Sequence, residues 1–197
     1  SEWTDKDVLH IFPHWNWNPG QAVDVWAFTN CDEVELFLNG NSLGRQSKSR
    51  DDFNLVWKVQ FEEGTLLGVG YRNGSEVMRS EIRTAGEPAT LQLSPDRAEI
   101  KADGSDLSFI TVTVADKENN PLPHAGNMIN FSIEGPGTIA GVDNGSQTSM
   151  EPFKADYRKA FNGRCLVVVK AGKEKGTIKL TASSEGLPDA TLTLRAR

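Results

Sequence analysis

Two cysteines and three histidines are all that 197 residues contain, and that scarcity removes most metal chemistry at the outset. A structural zinc takes about four ligands at close spacing. Here Cys31 and Cys165 stand 134 positions apart, no CxxC occurs, and the imidazoles are His10, His14 and His124. No metal and no other cofactor is therefore expected, and the two cysteines read as buried free thiols on strands. Basic charge is also short, 21 residues against 27 acidic for a net −6. It forms no stripe that could follow a phosphate backbone, so a nucleic-acid partner is excluded. Lys170, Lys173 and Lys175 lie beside a glycine and read as the solvated tip of a hairpin. No apolar run approaches the ~18 residues of a membrane span. The opening "SEWTDKDVLH" has no basic start, apolar middle or small-residue cleavage site, so the chain is expected to begin as mature protein or as a cut fragment.

The motifs of common catalysts are missing too. There is no Gly-x-Ser-x-Gly elbow, glycine-rich phosphate loop or His-Glu-x-x-His helix, and Ser42 and Ser75 sit in turn sequences. A retaining glycosidase needs two carboxyl groups about 5–5.5 Å apart, one with a raised pKa. The acidic pairs Asp32-Glu33, Asp51-Asp52 and Glu62-Glu63 fall at turns or strand edges, where neighbours point to opposite sides, and read as solvated charge. "GVDNGS" at 141–146 offers Asp143 and Asn144 to a calcium ion, but a tight Asp-Asn-Gly turn explains it with fewer parts. No catalytic residue and no metal ligand follows from composition or spacing.

What is present is alternation. In "QAVDVWAFTN", Val23, Val25 and Ala27 oppose Asp24, Trp26 and Phe28, a strand with one core face and one half-covered face. "EVELFLNGNSLG" sets Val34, Leu36 and Leu38 against Glu33, Glu35 and Phe37 before Asn39-Gly40, a pair that favours the positive φ of a tight hairpin. "LVWKVQF" is a further strand, and "VGYRNGSEVM" turns on Asn73-Gly74. Near residue 86 the texture changes: Gly86 and Pro88 interrupt the pairing, and Trp3, Trp15, Trp17, Trp26 and Trp57 all precede them. Residues 1–86 carry 8 basic and 13 acidic side chains, and 87–197 carry 13 and 14. The expectation is an all-β chain of two consecutive β-sandwich domains, 1–86 and 87–197, the second immunoglobulin-like in the bacterial manner. In it Ile110, Val112 and Val114 should face the core while Phe109, Thr111 and Thr113 face away.

One stretch invites a binding reading. "FPHWNW", residues 12–17, sets His14, Trp15, Asn16 and Trp17 in succession, and an indole can stack on a pyranose or fill a core equally well. If the segment is extended, Trp15 and Trp17 share one face and His14 and Asn16 the other. Pro13 and Pro19 confine it to an edge strand or loop. These four are the carbohydrate-contact candidates, with at least one indole expected inside.

Particular runs carry a resemblance. "LHIFPHWNW", "VDVWAFTNCDEVELFLNGNSLG", "PDRAEIKADGSDLSFITVTVAD" and "GVDNGSQTSMEPFKADYRKAFNGRCLVVV" look like the C-terminal accessory sandwiches of glycoside hydrolase family 2 β-galactosidases of Bacteroides-type bacteria. The resemblance implies a parent enzyme hydrolysing terminal β-D-galactosides with retention, its glutamates on a (β/α)₈ barrel that precedes these sandwiches. Such a barrel takes ~250 residues and does not fit here, so this chain alone is expected to be silent. The implied partners are the barrel of the same parent chain and galactose-containing glycans, and the implied home is the periplasm or the exterior. Two other readings stand beside the accessory one: a carbohydrate-binding module acting through Trp15 and Trp17, and an adhesin-like immunoglobulin spacer suggested by "GPGTIAGVDNG". The absence of an internal repeat argues against the spacer.

Overall fold

A computed structural model describes residues 6–49 and 52–197; Trp3 and Asp51, named above, lie outside them. The described residues hold strands and turns and no helix. The chain divides into two compact units, Ser1–Thr84 and Ala85–Arg197. The division falls two residues before the boundary expected from Gly86 and Pro88. Ala85 already belongs to the second unit's core, and the Gly86 amide donates to Asp116 Oδ2 at 2.9 Å.

The first unit is built from β1 (Leu9–Phe12), β2 (Ala22–Thr29), β3 (Glu33–Leu38), β4 (Asn41–Ser47), β5 (Asn54–Gln60), β6 (Thr65–Arg72) and β7 (Ser75–Arg83). Two antiparallel sheets result, in the orders β1-β2-β5 and β4-β3-β6-β7. Alternation decides what each sheet buries. Val23, Val25 and Ala27 of β2 meet Val34, Leu36 and Leu38 of β3 in one core, with Ile11, Leu55, Trp57, Val59 and Leu66 completing it. Asn39 and Gly40 adopt φ of 52° and 81°, and Asn73 and Gly74 of 50° and 77°, so both hairpins close through two left-handed residues. That conformation matches the right-handed twist of the strands it joins.

The second unit contains β8 (Thr90–Pro95), β9 (Glu99–Ile100), β10 (Leu107–Ala115), β11 (Met128–Glu134), β12 (Gly137–Asp143), β13 (Tyr157–Lys159), β14 (Arg164–Ala171), β15 (Gly176–Ser183) and β16 (Ala190–Ala196). Its sheets run β12-β14-β10-β8 and β13-β11-β15-β16-β9, antiparallel except for the short β16–β9 pair. Ile110, Val112 and Val114 point inward against Ile178, Leu180 and Leu194 of the opposite sheet. Burying these two rows makes the second core independent of the first.

Two sequence expectations need correction. The lysine-bearing segment around Lys173 is no hairpin tip, because β14 and β15 pair with different partners and belong to different sheets. It is an arch between layers, and a local sequence carries no sign of which sheet the next strand joins. Cys165 lies on β14 as expected, but Cys31 lies in the bend between β2 and β3, its amide held by Thr29 Oγ1 at 3.0 Å. Both cysteines are buried free thiols.

Candidate functional site

The sequence candidates lie where β1 gives way to an irregular segment after Phe12, beyond a cis Phe12–Pro13 peptide. Residues 13–20 leave the strand, with bends at Pro13 and Trp15 and a turn at Pro19 and Gly20, and the two indoles meet different surroundings. The two-residue spacing places side chains on a common face only along a strand. Instead, Trp15 is 0% exposed, lies edge-on to Phe61 with centroids 5.3 Å apart, and donates from Nε1 to the Glu62 carbonyl at 3.0 Å. Its indole is committed to the core of the first unit, so it presents no face to a sugar.

Trp17 behaves differently. It is half-buried, packs against the same core from its margin, and folds back onto the segment that carries it. Its indole stacks on the His14 imidazole at 4.5 Å and 19°, and its Nε1 donates to the His14 carbonyl at 2.9 Å. The Asn16 amide donates to His14 Nδ1 at 3.3 Å, a bond that the Nε2–H tautomer satisfies. The loop is closed downstream by Gln21 donating to the Asn18 carbonyl and by a Gly20–Phe61 and Phe61–Gln21 pair of backbone bonds. His14, Asn16 and Trp17 are thus one small unit, an aromatic stack closed by an indole N–H and a backbone amide. Chemically, an indole suits the C–H face of a neutral ligand.

Carboxylates elsewhere serve the fold. Burial alone would raise Asp116, but bonds from the Gly86, Asn120 and Glu118 amides and the Asn120 side chain hold its carboxyl below the usual range. Asp143 is also burdened by burial, and it too is held low by the Asn144 and Gly145 amides and by Arg158. The Asp-Asn-Gly turn is therefore real, and its aspartate is already occupied by a cation. A general acid needs a shift the other way. Among the described residues no group of three or more His, Cys, Asp or Glu side chains is placed to hold a metal.

Sequence reasoning missed one centre altogether. Arg158, on β13, is 1% exposed; its Nη1 donates to the Glu151 carbonyl at 2.9 Å and its Nη2 to Asp143 Oδ1 at 3.2 Å. Its guanidinium carbon lies 5.2 Å from the centre of the Phe153 ring, and among the described residues Nε finds no partner. In the sequence it is one more charge between Tyr157 and Lys159, with nothing to mark it as buried.

With this geometry in hand, the similarities of the chain become informative. Residues 91–193 match the family described as glycoside hydrolase family 2 C-terminal domain 5, and residues 20–78 match a domain of unknown function, DUF4982. The chain is 52% identical over all 197 residues to a β-galactosidase of Bacteroides ovatus, of which it spans 23%. It is 33% identical to a putative β-glucuronidase of Formosa agariphila over 87% of this chain and 17% of that protein. A solved glycosyl hydrolase family 2 member from Bacteroides cellulosilyticus superposes with a TM-score of 0.91 at 38% identity, over 100% of this chain and 29% of its own. A β-glycosidase from Bacteroides vulgatus gives 0.93 at 32%, over 100% and 26%. The chain thus spans less than a quarter of these two curated relatives.

Proposed function

Because the chain belongs to the C-terminal domains of glycoside hydrolase family 2, we propose that it is a non-catalytic accessory region of a longer family 2 glycosidase and that it supports the catalytic barrel of that protein. The observation that carries this reading is the full-length match to the Bacteroides ovatus β-galactosidase, of which both units together make up only 23%. The parent activity proposed is hydrolysis of terminal β-D-galactosides with retention, and its proposed place is the periplasm or the exterior. The closed cores and the lowered aspartates support a structural role for these residues. The test has two arms. The isolated chain should leave nitrophenyl β-galactoside intact, and removing the chain from the parent should lower the parent's melting temperature. Turnover by the isolated chain that is abolished by changing one of its carboxylates would overturn the reading, as would a parent indifferent to the deletion.

One observation favours a second, compatible role. The His14–Trp17 stack is half-buried and fastened by the indole N–H to the His14 carbonyl, so galactose-containing glycans are its proposed ligands, met at the rim of the parent's active site. Trp17→Ala in the complete enzyme should raise KM about tenfold, the scale of one base of aromatic stacking lost, with melting little changed. An unchanged KM alongside a large loss of stability would reduce Trp17 to packing.

A further inference from the structure

The first unit has two outer faces, and they differ in kind. On the β4-β3-β6-β7 sheet the outward residues are laced together: Glu33 pairs with Arg45, Glu35 accepts from Ser42 and Tyr71, and the Arg45 guanidinium lies 3.6 Å over the Tyr71 ring. Its exposed apolar side chains, Leu43 and Val77, lie apart on the two edge strands, β4 and β7. The outward face of β1-β2-β5 is apolar. Phe12, Trp26 and Val56 stand in register across its three strands, and Phe28 follows Trp26 along β2 with its ring nearly parallel, 12° and 6.5 Å away. All four remain 36–53% exposed although the opposite side of the same sheet is buried core. An antiparallel sheet normally places polar residues on its solvent face. Four contiguous apolar side chains here leave on the order of 300 Å² uncovered, the size of the largest and often functional patch on a monomer.

The border of the patch is polar. Asp24 and Lys58 lie opposite one another one register step away along β2 and β5, and His10 and Asn54 flank Phe28. An apolar centre with a charged and amide rim is the anatomy of a docking surface between folded bodies. Relatives matching all or most of this chain are more than four times its length, so the polypeptide proposed above supplies such a body. We propose that the Phe12–Trp26–Phe28–Val56 face is the surface through which this region docks on the remainder of its own longer polypeptide, with an apolar patch of that remainder as the occupant. The inference rests on the reading of the chain as part of a longer glycosidase.

Hydroxyl-radical footprinting read by mass spectrometry tests it directly, comparing the 197-residue chain, whose two cores are self-contained, with the complete protein. Oxidation of Trp26 and Phe12 should be slowed at least about fivefold in the complete protein, as for side chains at an interface centre, while Tyr71 reacts alike in both. Equal rates in the two forms would overturn the proposal, and so would strong protection already present in the 197-residue chain. Protection that appears only when galacto-oligosaccharide is added would assign the face to a glycan instead. Protection that grows with the concentration of the 197-residue chain would assign it to a second copy. Trp26→Gln paired with Val56→Lys should raise Phe12 oxidation in the complete protein toward the rate of the 197-residue chain, with melting of that chain unchanged. If deleting the region leaves the complete protein unaltered, the accessory reading itself fails; if deletion matters and Trp26 stays reactive, only the choice of face fails.

Discussion

Each unit buries one outsized side chain that organises an irregular segment, and the two make opposite chemical choices. In the first unit it is Trp15, which brings a large apolar ring and one N–H, and that N–H finds the Glu62 carbonyl. In the second it is Arg158, which brings a charge and five N–H donors, satisfies some of them on Glu151 and Asp143, and leaves Nε without a partner among the described residues. A buried indole gains from water exclusion and must satisfy one polar atom. A buried guanidinium pays desolvation first and recovers it only through its partners. Arg158 ties the end of β12 at Asp143 to the loop at Glu151 through its own charge, while residues 13–20 combine the buried volume of Trp15 with neutral bonds from the two indole N–H groups.

The comparison breaks most visibly at Trp15. Trp15→Ala should cost the first unit about 4 kcal/mol, transfer and cavity terms together, and leave the second unit's transition in place. Two transitions separating in a urea titration followed by far-UV circular dichroism would record this. A loss under about 1 kcal/mol would remove Trp15 from the core argument. Arg158→Ala should cost the second unit about 2 kcal/mol, less than Trp15 because its carboxylate partners Asp143 and Glu151 are both partly exposed and can return to water. Arg158→Met, which keeps the buried stem, should recover about 1 kcal/mol of that. Equal effects of the two variants would mean that the charge alone matters.

Acid sharpens the contrast. Folded-state pKa values held below the unfolded ones mean that the unfolded chain binds more protons as pH falls. The stabilisation is complete above the unfolded carboxylate range, near pH 4, and is lost as pH drops through the depressed folded values. Asp96, Asp103, Asp106, Asp116 and Asp143 are so held in the second unit. In the first, Asp52 and Glu76 are; both lie on the exposed surface, as do Asp96 and Asp103 of the second, so the difference rests chiefly on the buried Asp116 and the half-buried Asp143. The second unit should therefore loosen first between about pH 4 and 2, as melting curves across that range would register; the reverse order would contradict the assignment. The smallest effect concerns the thiols. Burial pushes Cys165 up to about 12, so alkylation at pH 8 should proceed only as fast as the second unit opens. Rapid labelling of native protein would show the site to be open.

Legibility followed the range of the interaction. Strand faces were readable because alternation is local: Val23, Val25 and Ala27, and Ile110, Val112 and Val114, are buried as their spacing implies. Both Asn-Gly turns were readable for the same reason. The fate of Trp15 and Trp17 was not, since same-face spacing presumes an extended backbone and this segment bends. Nor was Arg158, whose partners lie seven and fifteen positions away. Alternation places Trp26 and Phe28 on a half-covered face, but the contiguity of that face with Phe12 and Val56 depends on strand pairing that no single strand records.

The confinement of every tryptophan to residues 1–84 has an optical consequence. Intrinsic emission excited at the indole band reports on one half of the molecule only; among the described indoles the buried Trp15 and Trp57 emit toward the blue and the more exposed Trp26 toward the red. The other half is dark at those wavelengths, so subtracting an emission curve from a backbone curve isolates its behaviour without a label. A fused partner or bound sugar that moves the red component while leaving the blue one still has touched the outside of the first unit and nothing deeper.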